Sequence, residues 1–497
     1  MASSIDPRTP VLIGTGQFSN RVDRGEAPLE PVDLMVEALR RAEADTGRSG
    51  VVAAADSIRV LMLLSWRYRD PGALVADRLG VDDPESIYTV MGGNYVQTVL
   101  NKTALDIVEG RNDLVLITGG ESWRSRTDAR KTNADLGWTV QDESVPAADP
   151  FSPDRDLVGP GELARGIFMP VQVYPMFESA LRAHDGLTLD EQRDRTAQLW
   201  ARFSEVAATN PNAWIQRAYT ADEIATVTPD NRMIGFPYTK LENSNNMVEQ
   251  GAGLILCSVE RAEALGVDRD RWIFLHAGAD ASDHWFISNR DDFHSSPAIR
   301  TAGRAALELA GTTPADLAHV DLYSCFPSAV QIAARELGLG TERPLTVTGG
   351  MSFAGGPWNN YAMHGVATMS DVLRGDAGAT GLCTANGGYL TKHAFGVYST
   401  EPPAAGVFRW RSTQDEVDAL PSRELDLEPT GTAPIETYTV MHGRDGAPET
   451  GYAALRMADG RRSWGVTTDA DLMKAMTTEE FIGRTASIVP DGTLTVD

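Results

Sequence analysis

The feature of the sequence that most constrains its fold is an alternation of short apolar runs with helical segments. In the first series, the apolar runs are PVLIGTG, DSIRVLMLL and DLVLITGG, and the helical segments are PVDLMVEALRRAEADTG and NYVQTVLNKTALDIVEG. Short apolar runs are typical of buried strands, and apolar residues at helical spacing before a glycine are typical of helices. The alternation predicts an α/β layered fold.

A second series of the same type begins near Arg271. Its strand candidates are RWIFLHAGAD, HVDLYSCF, RPLTVTGG, GATGLCTANGG and FGVYST, and its helix candidates are SPAIRTAGRAALELAG and PSAVQIAARELG. Two series predict two related βαβ halves. We assign residues 1–120 and 250–270 to the first half and residues 271–410 to the second.

Two further segments depart from this alternation. Residues 121–249 are irregular and rich in Arg, Asp and Pro, which predicts an inserted loop domain that builds a binding surface over the scaffold. From about residue 411 the chain changes to short alternating strands with glycine turns, such as APIETYTVMHG and TGYAALRMADG. This pattern predicts a small all-β domain over residues 411–497, a barrel of the OB type.

Composition and charge narrow the classes of function. A net charge of −25 disfavours binding to nucleic acid and to anionic membranes. The sequence has no apolar run long enough to span a membrane, and its first residues lack the pattern of a secretory signal. Three cysteines, an odd and sparse set, favour a reducing compartment. We therefore expect a cytoplasmic protein, and nothing in the sequence predicts a metal site or a covalently bound cofactor.

Several segments together carry a resemblance to a known family. They are ALDIVEGRNDLVLITGGESW, NPNAW, GFPYTKLENSNNMVEQGAGLILCS, LYSCFP, GGMSFAGGP and ANGGY. In their order and spacing they resemble the thiolase superfamily over about residues 8–400, most closely the sterol-carrier-protein type. The resemblance implies the thiolase fold and a CoA thioester as substrate or ligand. It also implies acyltransferase chemistry of the acetyl-CoA acetyltransferase kind, in lipid metabolism, and a monomer or a homodimer that pairs through a sheet edge.

The resemblance further implies where the catalytic groups of a thiolase would stand, and this chain has other residues there. The nucleophilic cysteine falls at Gly93, the activating histidine at Gly356 and the second cysteine at Asn386. Thiolate attack on an acyl group needs the cysteine together with its activating histidine. The sequence therefore does not support a covalent acyl-enzyme or ordinary thiolase turnover.

Three remaining side chains are candidates for a different chemistry. Where the family has His-Asp-Cys-Phe, Tyr323 replaces the histidine and Cys325 matches the cysteine. A phenol donates a hydrogen bond or transfers a proton, and the alternative is a half-buried aromatic ring with a satisfied hydroxyl. Cys325 is a candidate proton carrier or a small buried hydrophobe. Asn386 is a candidate ligand of a thioester oxygen or a turn residue.

Asn94, Lys392 and His393 are candidates to line the binding pocket. Asn94 follows the position of the nucleophile, and the other two follow Asn386 in a region that borders the pocket in the family. Lys392 or His393 would contact a phosphate or the substrate, and the alternative for both is a solvated loop.

Three functions stay open at this point. The first is binding of an acyl-CoA without an acyl-enzyme. The second is retro-aldol cleavage of a β-hydroxyacyl-CoA, in which a base removes the hydroxyl proton and an oxyanion hole holds the enolate, with Tyr323 and Cys325 as the pair to test. The third is a non-catalytic scaffold or regulatory binder. The predicted barrel resembles the OB-fold subunits that accompany some thiolase-like proteins, and it would seal the pocket or recruit a protein partner.

Overall fold

The computed structural model describes residues 5–496, which form two β-sheets with helices packed on the larger one. The strands are β1 (Pro10–Ser19), β2 (Ser57–Val60), β3 (Glu85–Tyr88), β4 (Leu114–Ser122), β5 (Asp149–Pro150), β6 (Met233–Gly235), β7 (Tyr238–Thr239), β8 (Glu249–Ser258), β9 (Ile273–Ser282), β10 (His319–Asp321), β11 (Thr380–Gly387), β12 (Lys392–Ser399), β13 (Arg409–Ser412), β14 (Gly431–His442), β15 (Pro448–Arg456), β16 (Arg462–Thr467), β17 (Thr485–Ile488) and β18 (Leu494–Thr495). The α-helices are α1 (Pro31–Asp45), α2 (Pro71–Leu79), α3 (Tyr95–Val108), α4 (Trp123–Thr132), α5 (Pro160–Ala164), α6 (Pro170–Asp185), α7 (Leu189–Thr209), α8 (Ala221–Ala225), α9 (Val259–Ala264), α10 (Pro297–Ala310), α11 (Pro327–Glu336), α12 (Gly350–Phe353), α13 (Tyr361–Gly375), α14 (Gln414–Asp418) and α15 (Ala470–Met476).

The larger sheet joins the two halves of the α/β fold. Its strand order is β10-β11-β12-β9-β1-β8-β4-β2-β3-β5, with β13 paired to β9. In the first half, β1 is antiparallel to β8, β8 is antiparallel to β4, and β4 is parallel to β2. In the second half, β9, β12, β11 and β10 repeat this pattern. The repeat confirms the predicted α/β fold of two related halves.

Helices α3 and α13 occupy equivalent places in the two halves, each leading into the strand that follows, β4 or β11. Both helices are apolar on most sides and largely buried. Each follows a Gly-Gly pair, at residues 92–93 and at residues 355–356. The segments before the two helices are in contact, because the Gly92 N–H donates to Asn359 Oδ1 at 3.1 Å.

The smaller sheet is antiparallel and contains most of the C-terminal part of the chain. Its order is β16-β15-β14-β17-β18, and β6 pairs with β14 and with β7. An isolated bridge between Val466 and Thr493 connects its two outer strands. That this sheet is a barrel of the OB type stays a prediction.

The C-terminal sheet is packed directly onto the second half of the fold. Arg462 is fully buried, donates to the Ser288 carbonyl at 2.9 Å and forms an ion pair with Glu436 at 2.8 Å. Trp464 Nε1 donates to Ser288 Oγ at 2.8 Å. A buried guanidinium needs such partners to offset the cost of its desolvation. Because Arg462 finds these partners on the second half of the fold, the contact fixes the position of the C-terminal sheet on that half.

The structure differs from the sequence-based assignment at three points. The run RPLTVTGG forms no strand, and Leu345 only accepts a hydrogen bond from the Leu322 N–H at 2.9 Å. The domain boundary predicted at residue 411 falls inside β13. This strand pairs with residues 277–280 of β9, beyond the part of β9 that pairs with β1. Strand β6 lies within the segment assigned to the loop domain and joins the C-terminal sheet.

Strand β5 covers one edge of the larger sheet. It pairs in parallel with β3 through Ile87–Asp149 and Tyr88–Pro150. The edge next to β3 is therefore occupied by the same chain. No helix among residues 5–496 is long and apolar enough to span a membrane.

Candidate functional site

A cavity of about 380 Å³ lies where the turn before α3, the end of β11 and the segment after β10 meet. Gly93, Tyr323, Cys325 and Asn386 line it, so the structure brings together four residues selected from the sequence. Gly356 is not among the lining residues, although Trp358, two residues further on, is.

The Tyr323 hydroxyl occupies the space that a side chain at residue 93 would need. A Cβ on Gly93 would lie under 3.0 Å from Tyr323 Oη and 2.7 Å from the Asn386 carbonyl oxygen. The Tyr323 backbone N–H donates to Thr384 Oγ1 at 2.8 Å, which fixes the residue after β10. Tyr323 Oη has no hydrogen-bond partner among residues 5–496. The phenol is thus placed in the cavity and is free to meet a ligand.

Cys325 and Asn386 face the same cavity and are joined by Tyr174. Asn386 Nδ2 donates to Tyr174 Oη at 3.0 Å, and its distance to Cys325 Sγ is 3.8 Å. Tyr174 Oη also accepts from the Leu390 N–H at 2.9 Å. Burial raises the pKa of the Cys325 thiol to about 12, and hydrogen bonds from Tyr174 and Asn386 only partly oppose it. The thiol is therefore protonated at neutral pH.

The remaining pocket candidates lie behind the cavity wall. Lys392 is buried, its Nζ donates to the Met91 carbonyl, and the ammonium sits 4.9 Å from the centre of the Tyr95 ring. Burial lowers the pKa of Lys392 to about 8. His393 Nε2 lies 3.0 Å from the Leu390 carbonyl oxygen and 3.6 Å from Asp283 Oδ2, within a buried polar network.

Asn94 also lies behind the wall. Its Oδ1 is buried without a partner among residues 5–496 and packs against the Cα atoms of Gly92 and Gly387. None of Asn94, Lys392 and His393 lines the cavity. All three are buried, so the alternative of a solvated loop is wrong for Lys392 and His393.

Gly356 differs from Gly93 in having free space beside it. A Cβ at residue 356 would find its nearest neighbour, Ser244 Cβ, at 3.4 Å, which is ordinary contact. The Gly356 carbonyl accepts from Asn246 Nδ2 at 2.9 Å. Two residues on, Trp358 has a φ of +48°, a left-handed conformation that is costly for a bulky residue.

An open groove of about 1020 Å³ adjoins the cavity and was not predicted from the sequence. Val171, Asn243, Ser244 and Asn246 line both spaces. The polar run Asn243–Asn246 lies two residues before the buried strand β8, and a polar cluster at the start of a buried strand is a sequence signal that could have indicated this site.

The groove carries cationic and aromatic side chains. Arg124 and Lys240 line it and have no ion-pair partner within 4.0 Å among the residues that the structure describes. Arg217 pairs with Glu223, and its guanidinium carbon lies 4.4 Å from the centre of the Tyr219 ring. Asp222, Glu223 and Asp230 also line the groove, so it carries as many carboxylates as cationic side chains, and Arg124 and Lys240 are the two cations available to pair with an anionic group.

The cavity itself is electrically neutral. Its ionisable residues are Tyr174, Tyr323, Cys325 and Tyr389, and burial raises the pKa of each of them. Among the described residues, no carboxylate, imidazole or amine lines it. It therefore suits an uncharged group that accepts hydrogen bonds, such as a thioester.

Comparisons with protein families match two parts of the chain. The family described as "Thiolase C-terminal domain-like" matches residues 279–343. The family described as "Thiolase-like protein type 1 additional C-terminal domain" matches residues 412–493. An acetyl-CoA acetyltransferase of Methanothermobacter thermautotrophicus is 23% identical over 369 residues, which cover 70% of this chain and 86% of that protein. The match to an acetyl-CoA acetyltransferase of Methanocaldococcus jannaschii, also 23% identical, covers 54% of this chain and 60% of that protein.

Among solved structures, one resembles nearly the whole chain and another resembles most of it. The crystal structure of a monomeric SCP2-thiolase-like protein type 1 from Mycobacterium smegmatis is 33% identical with a TM-score of 0.84, and covers 99% of this chain and 100% of that one. An Ltp2-ChsH2(DUF35) aldolase is 20% identical with a TM-score of 0.61 and covers 80% of this chain and 99% of that one. The second match supports the fold alone.

Proposed function

Since the chain belongs to the SCP2-thiolase-like proteins of type 1, we propose that it binds an acyl-CoA thioester and forms no acyl-enzyme. The observation that carries this proposal is that the Tyr323 hydroxyl occupies the space that a side chain at residue 93 would need. A thiolase nucleophile at this place would be excluded by the phenol. The neutral cavity then receives the acyl thioester, with Tyr323 Oη as a hydrogen-bond donor to its oxygen.

The groove next to the cavity supports CoA as the carrier of the acyl group. CoA has phosphates and an adenine ring, and a long uncharged arm ends at its sulfur. Arg124 and Lys240 have no ion-pair partner within 4.0 Å among the described residues and would pair with phosphates. The residues shared by the groove and the cavity, such as Asn246, would contact the arm.

Isothermal titration with CoA and acetyl-CoA, followed by mass spectrometry of the same mixtures, tests the proposal. We expect both ligands to bind and the mass of the protein to stay unchanged. Lys240→Ala should weaken CoA binding about tenfold, since a charge-assisted contact is lost. Lys474→Ala, a matched change of an exposed lysine on α15, should leave it unchanged. A covalent adduct would contradict the proposal.

A second candidate, a retro-aldolase on a β-hydroxyacyl-CoA, is favoured by the unpartnered Tyr323 hydroxyl. The bond between the α and β carbons would break, and its electrons would form a thioester enolate. The β-hydroxyl proton would pass to water, since no carboxylate, imidazole or amine of the described residues lines the cavity. The phenol would donate a hydrogen bond to the enolate oxygen, and water would return a proton to the α carbon. Release of an aldehyde or ketone by the protein, lost in Tyr323→Phe, would support this function. If the protein binds no CoA ester, both of these functions fail, and a non-catalytic scaffold is the function that remains.

A further inference from the structure

One segment at the mouth of the cavity is held between the α/β fold, through hydrogen bonds from Ser288 and Tyr389, and the C-terminal unit, defined here as residues 420–496. This segment, residues 159–171, is called the strap. It contains α5, and its last residues, including Phe168, Met169 and Val171, line the cavity. Phe168 is 52% exposed and Met169 is 45% exposed, so both stand at the rim, where the cavity meets solvent.

Arg165 fastens the outer side of the strap to the C-terminal unit. Its guanidinium donates to the carbonyls of Pro490 at 2.8 Å, Leu427 at 3.1 Å and Trp464 at 3.3 Å. Gly161 in α5 packs directly against the Leu425 side chain. The strap thus rests on three separate stretches of the C-terminal unit.

Gln172, directly after the strap, connects the strap backbone to the same unit. Its Oε1 accepts from the Met169 N–H at 2.7 Å and from the Phe168 N–H at 3.0 Å. Its Nε2 donates to the Gly166 carbonyl at 3.0 Å and to Tyr452 Oη at 3.1 Å. The orientation of the two rim side chains therefore depends in part on this hydrogen bond to strand β15 and in part on Tyr389 Oη, which donates to the Phe168 carbonyl at 2.6 Å.

We propose that the C-terminal unit forms the outer wall of the acyl site, by fixing the strap so that Phe168 and Met169 contact the acyl group. This inference rests on the proposed binding of an acyl-CoA. It gives the unit a role within the binding site of its own chain, in line with the first of the two roles that the sequence left open, sealing the pocket or recruiting a protein partner. Arg165 is a positioning residue, and the two rim residues select for the acyl part of the ligand.

Hydrogen–deuterium exchange and ligand titration together test the inference. In Arg165→Ala, amides of residues 159–171 should exchange at least about fivefold faster, because three carbonyl contacts are lost. Octanoyl-CoA should bind about 3–10-fold more weakly, and CoA, which lacks the acyl group, should change less than about twofold. Arg444→Ala, a matched change of an exposed arginine of the same unit, should have neither effect.

A second variant separates contact from positioning. Replacing both Phe168 and Met169 by Ser should weaken octanoyl-CoA binding relative to CoA and leave the exchange of residues 159–166 unchanged. Unchanged exchange in Arg165→Ala, or an equal loss of CoA and octanoyl-CoA affinity in both variants, would overturn the inference. If the wild-type protein binds neither ligand, the proposed function fails and this inference fails with it.

Discussion

Tyr323 Oη lies closer than 3.0 Å to the position that a Cβ would take on Gly93, so the phenol and a side chain at residue 93 exclude each other. The Tyr323 ring carbon that bears the hydroxyl would be only 3.0 Å from the same Cβ. Removing the hydroxyl oxygen alone would therefore not make room. Tyr323 and Gly93, which stand where the resemblance implies a histidine and a nucleophile, therefore belong to one packing arrangement.

This arrangement predicts that Gly93→Ala destabilises the protein, whereas Gly356→Ala does not. The added methyl group at residue 93 meets the Tyr323 phenol and the Asn386 backbone, and overpacking of this kind costs about 1–3 kcal/mol. At residue 356 the nearest atom to the new methyl group is 3.4 Å away, and neither glycine has a positive φ. Urea denaturation should show a lower free energy of unfolding for Gly93→Ala, and a change within about 0.5 kcal/mol for Gly356→Ala.

A double variant checks the cause of that destabilisation. Tyr323→Ala removes the phenol, so Gly93→Ala should cost less in a Tyr323→Ala background than in the wild type. Equal costs in the two backgrounds would show that the phenol is not what fills this space.

The cysteines should be unreactive in the folded protein. Burial raises the pKa of the Cys325 thiol to about 12, and it also raises the pKa of Cys257 and Cys383. Since the thiolate is the reactive form, Ellman's reagent at pH 7.5 should modify less than about one thiol during minutes. Denatured protein should react at all three cysteines. Rapid loss of one thiol in the native protein, absent in Cys325→Ala, would contradict the assignment of Cys325 as a protonated thiol.

The fold was predictable because both halves carry the same local pattern. Helices α3 and α13 each follow a Gly-Gly pair and are apolar on most sides, as expected for helices buried between layers. Tyr323, Cys325 and Asn386 were selected by the resemblance to the thiolase superfamily, and they meet in one cavity because β10 and β11 are neighbouring strands of the larger sheet. Local sequence was sufficient for the helices, whereas these site residues needed the resemblance.

Other parts of the site depend on contacts between distant segments. The strap reaches the C-terminal unit through Arg165, whose three acceptors are backbone carbonyls that any residue provides. Lys392 and His393 follow Asn386 in the sequence, but they extend away from the cavity because β12 pairs with β9 over its whole length. No local sequence pattern encodes the contacts of Arg165 or the orientation of Lys392 and His393, so these features could not be predicted from the sequence.

Replacing Lys392 by Met should change how stability depends on pH. The pKa of Lys392 is lowered to about 8 in the folded protein, from 10.5 for an exposed lysine, because of its burial. Between these values the unfolded chain binds the proton and the folded chain does not. The wild-type protein therefore gains stability as the pH rises from about 8 to 10.5, and below pH 8 it carries the full cost of the buried charge.

Urea denaturation of wild type and Lys392→Met at pH 7, 9 and 10.5 measures this effect. We expect the variant to gain stability relative to the wild type at pH 7, since Met fits the apolar surroundings of the Tyr95 and Trp285 rings. This relative gain should shrink as the pH rises to 10.5. In Lys392→Arg the positive charge persists throughout this pH range. The difference in free energy of unfolding between Lys392→Arg and Lys392→Met should therefore not shrink. A relative gain for Lys392→Met over wild type that stays constant with pH would contradict a lowered pKa for Lys392.

The covered edge of the larger sheet predicts a monomer. Strand β5 pairs with β3, and Phe151, directly after β5, packs edge-on against the Tyr95 ring at 5.9 Å between centroids. A second copy of the chain therefore meets no free strand next to β3. Light scattering after gel filtration should give a mass of 53.7 kDa at concentrations up to about 100 μM. Phe151→Ala should loosen β5, expose the edge and promote association at high concentration, whereas Phe168→Ala, at the rim of the cavity, should not. A wild-type dimer would show that the chain pairs through a different surface.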